Sequence, residues 1–146
     1  ELAELDLAYA PPYSSAKDPV NLAGFMIENI ENGILKQFHM AEIDQLPKDG
    51  SVTLLDTRTP GEYACGHVDG FQNIPVDVLR EHLDEIEKGK PVYVICQSGL
   101  RSYISTRILT GNGYDVYNFS GGFRFYDAVT NDRCLIETAT ACGMDK

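Results

Sequence analysis

The run Pro91-Val92-Tyr93-Val94-Ile95 breaks into Cys96-Gln97-Ser98-Gly99-Leu100-Arg101, and a helical pattern begins at once. β-branched and aromatic residues make this the most strand-like stretch of the chain. Residues 100–109 read as a helix with Ile104 and Ile108 on one face, stopped by Gly111 and Gly113. The alternation recurs on both sides. Residues 52–56 form a short apolar run ending in Asp56, and Thr59-Pro60-Gly61-Glu62 has the capping-box pattern of a helix start. Residues 71–74 and 116–119 are further extended pieces, and Gly121-Gly122 is a turn before a short helix over 123–129. Leu79, Leu83 and Ile86 mark an amphipathic helix ending near Gly89. Strands separated by helices require crossovers. The pattern therefore predicts a small doubly wound α/β fold, a mainly parallel five-stranded sheet with helices on both faces. Ligands of such sheets bind at the carboxyl ends of the strands, where Asp56 and Cys96 fall.

Residues 1–33 read differently. Tyr9-Ala10-Pro11-Pro12-Tyr13 cannot be helix interior. Asp18-Pro19 is an N-cap followed by proline at the first helical position, Leu22, Phe25, Met26 and Ile30 recur at helical spacing, and Gly33 is the stop. One loop and one helix enclose no core, so this segment is expected to pack on something else. The chain thus divides into 1–33, a globular domain at 34–130 and a tail at 131–146.

Composition excludes several function classes. A net charge of −10 argues against sequence-independent nucleic-acid binding and against docking on anionic lipid. No apolar run reaches the ~20 residues of a membrane helix. The four cysteines, at 65, 96, 134 and 142, form no Cys-x-x-Cys pair and no convincing metal site. The expectation is a cytoplasmic protein with free thiols, no metal, and a small molecule or protein as partner.

Chemistry concentrates after the 91–95 strand. A tight turn through Gln97, Ser98 and Gly99 can point successive N–H groups at one centre, an anion nest to which the following helix adds its positive end. Arg101 supplies a charged fork of donors. Such surroundings favour a thiolate, the nucleophilic form of cysteine. An anionic donor held there could pass its outer sulfur to Cys96, giving a persulfide, and an acceptor thiol or cyanide would then remove it. No metal or organic cofactor is needed. The competing reading is that Cys96 is a small buried hydrophobe at a strand end.

At this loop the sequence resembles the rhodanese family. Leu55-Asp56-Thr57-Arg58 is similar to its aspartate-x-arginine strand end, and residues 62–70, with Glu62, Tyr63, Gly66, His67 and Gly70, to its second motif. Asn73-Ile74-Pro75, Cys96 through Ser102, Gly113-Tyr114-Asp115-Val116 and Gly121-Gly122 follow in the family's order over about 37–130. The resemblance implies a sulfurtransferase with Cys96 as nucleophile and Gln97, Ser98, Gly99, Leu100, Arg101 and Ser102 as the substrate cradle. Asp56, Arg58 and His67 carry over as supporting positions, architectural for Arg58 and His67, with Asp56 helping to position the loop. The family's tryptophan after the glycine pair is missing here, with Tyr126 nearby. Related phosphatases place five residues between cysteine and arginine; here four intervene, a cradle better matched to one sulfur. Some rhodanese-like domains are non-catalytic docking or regulatory modules, but these often lack the cysteine.

Residues 9–21 resemble the end of the dimerisation domain of coenzyme A-disulfide reductases and related NADH oxidases, some of which carry a C-terminal rhodanese domain. That resemblance implies a fragment of a fusion flavoprotein. Its FAD, NAD(P)H and coenzyme A would be bound by upstream domains of the same chain, with a homodimer possible in the parent and polysulfide or a persulfide as sulfur donor. Cys134 and Cys142 are candidate resolving thiols, more simply incidental ones, and Cys65 is read as packing. Tyr9 and Tyr13 could approach a partner subunit's site in such a parent.

Overall fold

The computed structural model describes residues 1–7 and 18–138, with backbone alone for 132–138. Tyr9, Tyr13 and Cys142 lie outside the described residues, as does the side chain of Cys134. The chain divides into two compact units, Glu1–Lys36 and Gln37–Lys146.

The first unit is a 3-10 turn, Leu2–Glu4, and helix α1, Pro19–Glu31. Asp18 caps α1 by accepting the Val20 N–H at 2.8 Å, with Pro19 in the first turn. Gly33, at φ 67°, ends it: its N–H donates to Ile30 and that of Ile34 to Asn29, closing a Schellman motif. The buried positions are Asn21 and Gly24, not the apolar row. Asn21 Nδ2 donates to the carbonyls of Leu2 and Leu5, and a Cβ on Gly24 would stand 2.5 Å from the Ala3 nitrogen. Leu22, Met26 and Ile30 stay 44–49% exposed.

Five strands, all in the second unit but for Lys36 at the start of the first strand, are ordered β1-β5-β4-β2-β3: β1 Lys36–Phe38, β2 Thr53–Asp56, β3 Gln72–Asn73, β4 Val92–Ile95 and β5 Val116–Phe119. The β2/β3, β2/β4 and β4/β5 pairs are parallel, as expected. Helices α2 (Met40–Ile43), α3 (Pro60–Ala64), α4 (Leu100–Gly111) and α5 (Gly122–Thr138) complete the domain.

Because successive strand residues point to opposite faces, each central strand feeds two cores. Leu55, Val92, Val94 and Val116 meet Ile108 and Leu109 of α4 on one face. Leu54, Ile95 and Phe119 meet Phe38, Ile43, Val68 and Phe71 on the other. The helix expected through Leu79, Leu83 and Ile86 is instead two 3-10 turns, Leu79–Glu81 and Leu83–Glu85, broken at His82 (φ −111°). Leu79 and Ile86 are buried as that spacing implied. Clustered Glu81, Asp84 and Glu85 would repel along a continuous α-helix, and short 3-10 turns still bury Leu79 and Ile86. The last helix runs past Val129 to Thr138. No helix among the described residues is long and apolar enough to cross a membrane.

The strand order reverses between β2 and β4, one leading to β3 and the other to β5. Loops leaving those two strands diverge and leave a crevice at their carboxyl ends. Register places Asp56 opposite Ile95, so Thr57-Arg58 and Cys96-Gln97 emerge side by side.

Candidate active site

Cys96 is the residue after β4, and Gly99, at φ 108°, is the N-cap of α4. A positive φ lets the chain fold back over the sulfur, a turn that a side chain resists. The Gly99 N–H donates to Cys96 Sγ at 3.1 Å, and Ser102 Oγ lies 3.3 Å from it. The first amides of α4 lack intrahelical acceptors and carry the helix's partial positive charge. One loop amide and one hydroxyl thus point at the sulfur, where the loop sequence suggested several successive amides. Ser98 and Leu100 are exposed, whereas Cys96 is 1% exposed and Ser102 fully buried.

Two further loops hold this turn from behind. Thr57 donates to the Ile95 carbonyl from both its N–H (2.9 Å) and its hydroxyl (3.1 Å). The N–H groups of Phe123 and Arg124, opening α5, donate to the carbonyls of Cys96 (2.7 Å) and Gln97 (3.1 Å). Gly122 makes that approach possible: a Cβ there would lie 2.6 Å from the Gln97 carbonyl oxygen.

The supporting residues fall into place unequally. Arg58 is 1% exposed and forks onto the fully buried Asp56, with Nε and Nη2 bonds of 2.7–3.1 Å. Its remaining donors reach Gly66 O (2.7 Å) and Gln97 Oε1 (3.3 Å), and its guanidinium stacks 3.9 Å from the Phe123 ring centroid. Asp56 and Arg58 thus form a pair of strand-end carboxylate and arginine, and Arg58 also touches the Gln97 side chain of the cysteine loop. His67 is exposed; its ring stacks on Tyr63 at 4.0 Å and Nδ1 lies 3.1 Å from the Tyr63 carbonyl. None of these His67 contacts reaches the cysteine loop.

Arg101 does not face the sulfur as a free cation. Both its Nη atoms donate to the carboxylate of Glu62, each at 2.7 Å. The guanidinium holds the Glu62 carboxyl down at about 2, and the hydrogen bonds from Arg101 and Thr59 outweigh the opposing effect of burial. Arg101 is raised above its ordinary value, first by Glu62 and, to a lesser degree, by nearness to Cys96 and Asp56. Glu62 had been legible as a helix cap and motif position, and it does close the capping box with Thr59. Its grip on a residue 39 positions away carried no sequence signal. Beside this pair an open concavity of about 470 Å³ is lined by Arg58, Gly61, Glu62, Cys65, Gln97 and Phe123. Exposed Cys65 therefore sits on the wall of the crevice rather than in packing.

A doubly wound parallel sheet with a strand-end cysteine under the amino end of the next helix defines a class: α/β domains with a cysteine in the loop that opens a helix. The rhodanese-like domain family matches residues 39–128, more than half of the chain, and the chain belongs to that family. The reduced CoADR-RHD of Bacillus anthracis superposes with a TM-score of 0.84 at 44% identity, over 90% of this chain and 24% of that one. An NAD-dependent persulfide reductase from A. fulgidus gives 0.72 at 38% identity, over 86% and 22%. The GlpE thiosulfate sulfurtransferase of Tolumonas auensis is 38% identical over 84 residues, 57% of this chain and 76% of that protein. YqhL of Bacillus subtilis is 42% identical over 72 residues, 49% of this chain and 57% of its own length. The chain thus spans under a quarter of the two solved proteins and little more than half of YqhL.

Proposed function

We propose that this domain moves sulfane sulfur through a persulfide on Cys96. The observation that carries the reading is the sulfur's position, held 3.1 Å from the Gly99 amide at the amino end of α4. Thiolate attack on a donor's outer sulfur forms a Cys96 persulfide and breaks the donor's sulfur bond, expelling a thiolate or sulfite. An acceptor thiolate then attacks the outer sulfur and Cys96 leaves as thiolate. The cradle's amides stabilise the anion at both stages. Since Cys96 is 1% exposed, loading requires its cover to yield.

The likeness to CoADR-RHD and to a persulfide reductase supports a fuller reading: the rhodanese domain of a cytoplasmic fusion protein. Upstream domains of the same chain would bind FAD, NAD(P)H and coenzyme A, and persulfide or polysulfide would supply the sulfur. Near-complete burial of Cys96 favours a second reading, a non-catalytic docking or regulatory module.

Intact-mass analysis after exposure to thiosulfate or polysulfide separates the two. Sulfur transfer requires a gain of one sulfur atom on Cys96 and none in Cys96→Ser. Loading on Cys134 or Cys142 while Cys96 stays bare refutes it, and no loading at all leaves the docking reading.

A further inference from the structure

The rim of the sulfur cradle carries two guanidinium groups, and each is already matched by a carboxylate. Arg58 is spent on Asp56, and Arg101 is held at both Nη atoms by Glu62. Glu62 cannot easily swing away, because Oε2 also accepts the Thr59 N–H (2.9 Å) and hydroxyl (2.8 Å). The local sum of these four charges is zero, in a chain of net charge −10. The adjoining concavity, about 470 Å³, is far larger than one sulfur needs, and Phe123, Cys65 and Gly61 share its lining with the Glu62 carboxylate. An inorganic dianion entering there meets a carboxylate and no unmatched cation among the residues lining the concavity. A single sulfur borne on an organic arm finds room and an aromatic wall.

We propose that Glu62 is the specificity-determining residue of this site: by neutralising Arg101 it disfavours doubly charged donors relative to singly charged organic persulfides. The proposal rests on the sulfur-transfer reading and narrows its donors, ranking organic persulfides ahead of dianionic polysulfide and thiosulfate.

The test is Glu62→Gln, compared with the unmodified protein using thiosulfate and 2-mercaptoethanol persulfide as donors. Glutamine also closes a capping box with Thr59, so the variant removes charge while keeping the helix start. The KM for thiosulfate should fall about three- to fivefold, the scale of a partly exposed ion pair. The persulfide KM should move less than the thiosulfate KM, and the gain should shrink as salt screens the freed Arg101. An unchanged or raised thiosulfate KM, or equal shifts for both donors, overturns the proposal. The unmodified protein supplies a measurement that needs no variant. Sulfate, competing against the persulfide, should inhibit no better than methanesulfonate, its singly charged analogue; clear preference for sulfate is equally fatal. Sulfur on Cys96 by intact mass separates the two levels: no loading defeats sulfur transfer itself, while loading without a donor split defeats only the role of Glu62.

Discussion

At the scale of single residues, the site is made by partners more than by residue type. One hydroxyl proton on Ser102 serves two acceptors, Cys96 Sγ at 3.3 Å and the Gly99 carbonyl at 3.1 Å. It can turn to the sulfur whenever the sulfur is anionic. Ser102→Ala should therefore slow sulfur loading about tenfold, the low end for a hydrogen bond to a charged group. Stopped-flow or quenched mass analysis reads this directly, and an unchanged rate would remove Ser102 from the cradle. Arg58 invites a different experiment. Replacing it by Met strands the fully buried Asp56 without a counter-charge and should cost about 3–5 kcal/mol in urea unfolding. Cys96 and its loop were readable in sequence because strand, turn glycine and helix start are consecutive. The Glu62–Arg101 and Arg58–Gln97 contacts were not, since each joins residues 39 apart.

Among the elements, local chemistry held where the signal was local. Asp18-Pro19, Gly33 and the Thr59–Glu62 box start and stop helices as their sequences require. The 79–86 stretch departed because burial of Leu79 and Ile86 is compatible with either an α-helix or 3-10 turns, and charge repulsion favoured the turns. In α1 the apolar spacing is helical, but contact with the 3-10 turn selected the opposite face, through Asn21 and Gly24. The joint between β5 and α5 gives the sharpest prediction. Gly122→Ala combines φ +70° with a Cβ 2.6–2.7 Å from Gln97 and Ser98 backbone. It should destabilise the domain by about 1–3 kcal/mol from strain alone and abolish sulfur loading by displacing the cysteine loop. Gly113→Ala, at φ +85° with nothing within 4 Å, should show strain without loss of loading. Equal effects on loading would mean that the loop does not depend on this joint.

For the whole molecule, the pairing of charged groups predicts an acid limit. Glu62 titrates at about 2 when folded, against an ordinary value of 4.5. Its pair with Arg101 is therefore fully stabilising above pH about 4.5 and is lost as pH falls through about 2. Both side chains are about a third exposed, so solvent screens the pair and its worth is about 1 kcal/mol rather than the full shift. Denaturant titrations of the unmodified protein and Glu62→Gln should differ by that amount at neutral pH and converge near pH 2; a gap independent of pH would show that the charge is not responsible. The sequence by itself determined the alternation of strands and helices, the helix caps and the cysteine loop, because hydrophobic period, turn geometry and capping act between neighbours along the chain. Only the tertiary structure decided which carboxylate neutralises which arginine, which glycine admits the loop, and how deeply Cys96 lies, because packing joins residues whose separation in sequence leaves no periodic trace.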